Sequence, residues 1–572
     1  MGLDMATLRR MDVGAPIPNN PAAASATPVW RFDWLTRGRC RAIFIALTLL
    51  GAVGQIVYLH HSPIDLSGDE AHYWDWSRRL DLSYYSKGPL VAYIIRASCA
   101  IFGNNAPAVR YPAIVLAVLT CGLIYLLTLK LFKSDRLALG VTVLCTLVPI
   151  FIAGSMLMTI DPPFFFCWAM ATYLVSFAIF DRKQWAWPAA GLFIGIGFLA
   201  KFAALLWLPG VLLFLLMHRP SRPLFKTAGP WVMIVVALLC TTPVVVWNVK
   251  HDWVSVRHVA RQTGMTDDSD NDADDLNSPS HTWKEAFTRV GAFAGGQVAV
   301  LGPVVVFMIG GTVYAFGRRS KEDPNRAALQ LLTTIGGFIL FLTFLDTFRS
   351  KVQLNWPAPA YFSLIIVAGY FFSLCLADRR WWRLWRGWGY GTVIFGLMLQ
   401  PIVRDFSVLY PLVRQINPYV KSPIALSRLD PTVKLRGWKQ LGQRLGEELS
   451  QLPPGSFILC DDYQQTAETA FYTPGNPVTY YAGSYFKDPK RHTQYDIWPD
   501  RSLTPPNPLI GRDAIYVGKG GGIPPEVKNA FAKYEPLPDL DIIVDGVKIR
   551  MFRPYRCTGF KGMARPTNIS DY

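Results

Sequence analysis

Charge is scarce in this sequence. Asp, Glu, Lys and Arg make up 17% of its 572 residues, against about 25% in soluble domains, and 51% of residues are hydrophobic. That balance excludes a water-soluble chain. Cysteine is also sparse: nine residues and no CxxC pair, so neither a redox dithiol nor a structural zinc site is indicated. Most lie in apolar runs and read as small core residues. Cys460 and Cys557 alone lie in the polar tail, where they could pair in an oxidising compartment. No phosphate-loop ending GK[ST] is present, and "GKGGG" at 518–522 reads as a turn. No internal repeat of the inverted-repeat transporter kind stands out. Residues 1–35 are rich in Pro, Ala and Asn and lack a signal-peptide pattern, so a disordered cytoplasmic leader is expected over about 1–40.

Apolar runs are abundant. Eleven spans are predicted, near 42–59, 108–131, 137–157, 162–180, 185–200, 203–217, 229–248, 291–316, 328–346, 358–377 and 388–404. The fold class is therefore a polytopic α-helical membrane protein. The net charge of +17 does not indicate nucleic acid, because much of it sits in short junctions between spans. These hold Lys130, Lys133 and Arg136; Arg182 and Lys183; Arg219, Arg222 and Lys226; Arg318, Arg319 and Lys321; and Arg379, Arg380, Arg383 and Arg386. The positive-inside rule puts them in the cytoplasm. The membrane domain covers 41–404. The loops at 60–107 and 249–290 then face outward, the second carrying the solvated run "DDSDNDADD". The tail, 405–572, is expected outside the membrane as a small α/β domain. "GSFILCDDY" and "DAIYVG" read as buried strands, "DIIVDGVKIRMF" as a hairpin turning at Asp545-Gly546, and "GWKQLGQRLGEELSQL" as a helix.

The first outward loop reads "SGDEAHYWDWSRRLDLSYYSKGPLVAYIIR" over 67–96. Ser67 and Glu70 fit a capping box, with Asp69 in the first helical turn. Tyr73, Trp74 and Trp76 suit the headgroup level, and Gly88-Pro89 would open a second helix with Pro at its first position. So far this is two interfacial helices and no more. Other features move the reading toward a site. Lys87 beside a helix N-terminus makes an anion site. Asp161 in "MTIDPP" opens the fourth span as a predicted N-cap, Lys201 lies in the turn between two short spans, and Asn355 and Trp356 precede the tenth. A plain cap and a snorkelling lysine would account for Asp161 and Lys201 singly. Together, at one depth, these residues outline a cavity at the outer leaflet.

The loop just quoted, with "TIDPP", "FLAKFAALLWLPG", "WNVKHDWVSVRH", "NWPAPAY", "DDYQQTAETAFYTPG" and "QYDIW" in this order, resembles the membrane glycosyltransferases that use polyprenyl-phosphate sugars. That superfamily, of GT-C type, includes the protein O-mannosyltransferases and the lipid A aminoarabinose transferases. The resemblance implies a catalytic base at Asp69, with Glu70 beside it. It implies a lipid-phosphate ligand at Lys87, joined by Lys201 and by Arg257 or Arg261, between which the sequence does not choose. Tyr73, Trp74, Asp161, Asn355 and Trp356 are further cavity candidates. The aminoarabinose transferases carry an acidic residue, linked to a bound metal ion, just before the lysine. Ser86 stands there, so no metal site is assigned, although Asp161 could contribute a ligand. The implied partners are a polyprenyl-phosphate sugar, membrane lipids and a lipid A, lipopolysaccharide or protein acceptor, without nucleic acid. The implied setting is the bacterial inner membrane, with the N-terminus cytoplasmic and the tail periplasmic. A transporter or flippase is the rival of another class, disfavoured because the charges lie at one face and not at the midplane.

Overall fold

A computed structural model describes residues 34–262, 283–378, 380–417, 430–487, 492–520 and 522–566. The acidic run at 267–275 and nearly all of the amino-terminal leader lie outside the described residues. Each of the eleven apolar runs contains helix, and the chain has the polytopic helical architecture expected of it. Among the described residues, six helices are long and apolar enough to cross a membrane, or nine if each of three bent pairs is one span. The difference from eleven has a local cause. The Asp135–Leu147 helix stops two residues before Pro149, and Ala186–Ala200 is 15 residues long, short of the roughly 20 that span hydrocarbon. Two helices form the centre of the bundle: the apolar windows of Asp161–Phe180 and Ala358–Ala377 are 72% buried, while that of Arg37–His61 is 6% buried and faces lipid.

The tail holds a five-stranded sheet in the order β2-β1-β3-β7-β4, from β1 (Phe457–Cys460), β2 (Thr479–Tyr481), β3 (Ala514–Val517), β4 (Phe531–Pro536) and β7 (Pro554–Phe560). The first three run parallel and the last two antiparallel. β5 (Leu540–Val544) and β6 (Val547–Phe552) form the hairpin, turning at Asp545 and Gly546 with φ of 48° and 74°, the left-handed pair that two-residue turns require. Cys460 and Cys557 do not pair. Both thiols are free, β3 lies between their strands, and they face different hydrophobic clusters.

The tail shares a core with the loop at 60–107. Trp74, Trp76, Ala467, Phe471, Tyr495 and Trp498 belong to one buried cluster. The Gly68–Ser77 helix packs on the Tyr463–Tyr472 helix so closely that a Cβ on Gly68 would lie 2.4 Å from Gln464 Cβ. Polar contacts pin the same seam. Asp65 Oδ2 accepts from the Trp438 amide at 2.8 Å, Tyr472 Oη from the Leu66 amide at 2.6 Å, and Asp75 from Tyr495 Oη at 3.0 Å.

Candidate active site

The acidic pair splits into two different environments. Ser67 caps the Gly68–Ser77 helix, and the predicted capping box is present. Its Glu70 is fully buried and accepts four hydrogen bonds. Oε1 takes Arg110 Nε at 2.9 Å and the Met158 amide at 2.9 Å. Oε2 takes an Arg110 terminal nitrogen at 2.8 Å and the Ser67 amide at 2.9 Å. A carboxylate has about four lone-pair sites, so Glu70 has none left for a substrate. Burial alone would raise its pKa; Arg110 and the two amides outweigh burial and hold the carboxyl below the usual range. Glu70 thereby ties the loop to the Ala106–Phe132 helix and to Met158.

Asp69, one residue earlier, is half-buried. Its side chain has a single hydrogen bond among the described residues, Oδ1 accepting from Gln464 Nε2 at 3.0 Å. The other oxygen remains available to accept a proton. The helix start aims consecutive carboxylates in different directions, Glu70 toward the bundle and Asp69 toward the tail.

The aromatic cavity candidates Tyr73 and Trp74 are buried. Trp74 is 1% and Tyr73 6% exposed; Trp74 packs edge-on against Phe471 at 4.8 Å and donates to Asn104 Oδ1 at 3.2 Å. They pack the loop against the tail. Trp76 stacks on Tyr84 at 4.4 Å, folding the second half of the loop back over the first. Lys87 follows in a turn where its carbonyl accepts from the Tyr84 amide at 3.0 Å. Pro89 is the cap of the Leu90–Phe102 helix and not its first residue. Gly88 is required by a close approach: a Cβ there would stand 2.3 Å from the Leu199 carbonyl oxygen. Lys87 is thus held against the end of the Ala186–Ala200 helix, whose C-cap is Lys201.

Three predicted residues meet. Lys201 Nζ lies 2.8 Å from Asp161 Oδ1, and Asn355 Nδ2 donates to Asp161 Oδ2 at 3.0 Å. Asp161 is the first residue of its helix and makes no cap. Through this pair Lys201, at the end of the Ala186–Ala200 helix, is tied to the start of the Asp161–Phe180 helix and to the turn before Ala358. Trp356 is half-buried in the same turn. Both Asp161 oxygens are engaged, and among the described residues no three His, Cys, Asp or Glu side chains gather as a metal site would need. Ser86 is buried.

The Val254–Gln262 helix reaches the loop from the other side. Ser255 Oγ donates to the Tyr84 carbonyl at 3.2 Å, and the His258 ring lies 4.8 Å from Tyr85. Arg257 donates to the Asp252 carbonyl. Arg261, one turn further, is close enough to His492 to help lower its pKa, burial being the larger cause. Sequence reasoning missed Arg110, whose signal was an arginine inside an apolar run, and Gln464, which lay unrecognised inside a block that carries the resemblance.

Known proteins align with this picture. The sequence model of the family described as dolichyl-phosphate-mannose-protein mannosyltransferase matches residues 86–247. The lipid A galacturonosyltransferase RgtD of Rhizobium johnstonii is 28% identical over 59% of this chain and 66% of its own length. The undecaprenyl phosphate-alpha-4-amino-4-deoxy-L-arabinose arabinosyl transferase of Pseudomonas paraeruginosa is 29% identical over 31% of this chain and 32% of its own. The chain thus spans just under two thirds of the first relative and about a third of the second. Among solved structures, ArnT from Cupriavidus metallidurans bound to undecaprenyl phosphate superposes with a TM-score of 0.60 at 14% identity, over 90% of this chain and 97% of that one. The chain has the fold of the GT-C-type membrane glycosyltransferases that use polyprenyl-phosphate sugars, and its sequence is similar to theirs.

Proposed function

We propose that this protein transfers a monosaccharide from a polyprenyl-phosphate carrier to lipid A or lipopolysaccharide at the outer face of a bacterial inner membrane. The observation that carries the reading is the division of labour in the acidic pair. Glu70 is saturated by four donors, while Asp69 keeps an oxygen open on the same loop as Lys87. The activities of the two relatives, one on lipid A and one from an undecaprenyl-phosphate sugar, support the same donor and acceptor. In this reading the acceptor hydroxyl gives its proton to Asp69 as its oxygen attacks the anomeric carbon. The bond from that carbon to the carrier's phosphate oxygen breaks on the opposite face, inverting the centre. The phosphate leaves with the electron pair, its charge met by Lys87 and Arg261. Such a base contributes about 10²- to 10⁴-fold, and fixed cations around a developing charge add a larger share. Gln464 orients the base from the tail, which makes the tail part of the machinery. The tail and the loops at 60–107 lie in the periplasm and the N-terminus in the cytoplasm.

Mass spectrometry of lipid A and core from a deletion strain tests this directly. A lost hexose, hexuronic acid or aminosugar mass, restored by the parent gene and not by Asp69→Asn, is expected. The match over 86–247 to a family described by protein mannosylation favours a protein acceptor as the second reading. Unchanged lipid A with loss of a glycoprotein mass would select it.

A further inference from the structure

A cleft of about 1010 Å³ opens at the far end of the bundle, at the upper end of the roughly 300–1,000 Å³ range of ligand sites. Its walls are hydrocarbon from four helices, including Val141, Val304, Phe307 and Phe372. Gly140 lines it, and a Cβ on Gly140 would meet nothing within 4 Å. Its place along the membrane normal follows from one helix. Arg386 lines the cleft near the start of Trp382–Arg404. Arg404 at the other end bonds through its carbonyl to Tyr58, just before the loop that holds Asp69. The 18 residues between the two arginines make about 27 Å of helix, nearly a full hydrocarbon thickness.

The rim carries a headgroup's chemistry. Arg386 is the only charged residue among those lining the cleft, and among the described residues it makes no ion pair. Its guanidinium stands 4.9 Å from the Trp382 ring and donates to Tyr390 Oη at 3.1 Å, which leaves other N–H groups for an anion. Arg380 and Arg383 precede it, stacked on Trp381 and Trp382. We propose that this cleft binds an anionic diacyl phospholipid of the leaflet opposite the active site. The acyl chains fill the apolar cleft and the phosphate takes the Arg386 fork, which suits phosphate better than an ammonium does. An apolar cleft at this depth excludes water, and an arginine cluster at its mouth selects charge, as basic pockets between spans do. The carrier substrate is not the occupant, since its phosphate belongs at the other face. The choice of leaflet and the exclusion of the carrier rest on the proposed reaction, but the test reads lipid and not sugar, so the two fail separately.

Delipidated full-length protein in detergent, titrated with phosphatidylglycerol, phosphatidylcholine or undecaprenyl phosphate and followed by native mass spectrometry, decides it. Phosphatidylglycerol should bind at least tenfold tighter than phosphatidylcholine. Arg386→Gln should remove that preference, and Gly140→Leu, which fills the cleft without a backbone clash, should cut phosphatidylglycerol binding about tenfold. Both variants should unfold at the parent's temperature without lipid. Equal binding of the two phospholipids overturns the proposal. So does undecaprenyl phosphate binding that Arg386→Gln or Gly140→Leu weakens, or a Gly140→Leu variant that binds phosphatidylglycerol as the parent does.

Discussion

Glu70→Gln separates a structural carboxylate from a chemical one. Each Glu70 oxygen accepts one arginine N–H and one backbone N–H. A glutamine amide has one oxygen, so in either orientation its NH₂ faces two donors. It also removes the counter-ion of Arg110, which is 2% exposed. Breaking one side of a buried pair costs about 3–5 kcal/mol. Arg110→Met should cost a similar amount, and the double replacement Glu70→Leu with Arg110→Met should recover much of it, since no charge is then stranded. The assay is thermal unfolding of purified protein in detergent, alongside transfer per folded molecule. Glu70→Gln should unfold well below the parent yet transfer normally while folded. Acid adds a second reading. The Glu70 carboxyl is depressed in the fold, so its stabilisation is complete above the unfolded value near pH 4.3 and is lost as pH falls through the folded one. The parent's lead over the Gln variant should therefore shrink below about pH 4. A Glu70→Gln protein as stable as the parent but inactive would refute the structural assignment and return Glu70 to the chemistry.

Asp69→Asn should lose at least 10²-fold in transfer rate, in line with a general base, with an unchanged unfolding temperature; near-parental turnover would end the base assignment. Gln464→Leu removes the hydrogen bond that Asp69 Oδ1 accepts from the tail and should shift the pH–rate profile of transfer, which a purely structural role would leave in place. Lys201→Met strands Asp161 and should destabilise by about 3–5 kcal/mol, whereas Lys87→Met should raise KM for the donor without loss of stability; the reverse pattern would exchange their roles. Glu468 is pushed well up by burial, against Arg550 and helped by Asp462, Asp65 and Asp69. The folded state keeps its proton while the unfolded chain loses it above about pH 4.3, so stability falls as pH rises from there toward the folded value. Glu468→Gln should therefore stabilise at pH 8 and match the parent near pH 4, measured by thermal unfolding.

What the sequence made legible is what short range decides. The capping box at Ser67 and Glu70 depends on residues three apart, and the turn at Asp545-Gly546 on two adjacent residues. Both could be read letter by letter. The span count was less legible, because hydropathy marks apolar runs and not the bends within them. Trp283–Leu301 and Val304–Phe316 meet at 106° across a short break. The site residues were legible one at a time but not as pairs. Asp161, Lys201 and Asn355 each stood out as polar groups at the membrane edge. That Lys201 and Asn355 both engage Asp161 is a fact of packing among three spans. Asp69 and Glu70 looked equivalent in sequence, and only the arrival of Arg110 on one and Gln464 on the other distinguishes them. Gln464 lies 395 positions away, across the whole membrane domain. That distance has a functional consequence. If the tail positions the base, the enzyme is complete only when loop and tail have docked, and their shared core of Trp74, Trp76, Phe471 and Tyr495 is then as necessary to catalysis as any charge. The aromatics of the loop then act through this core, by holding loop and tail together.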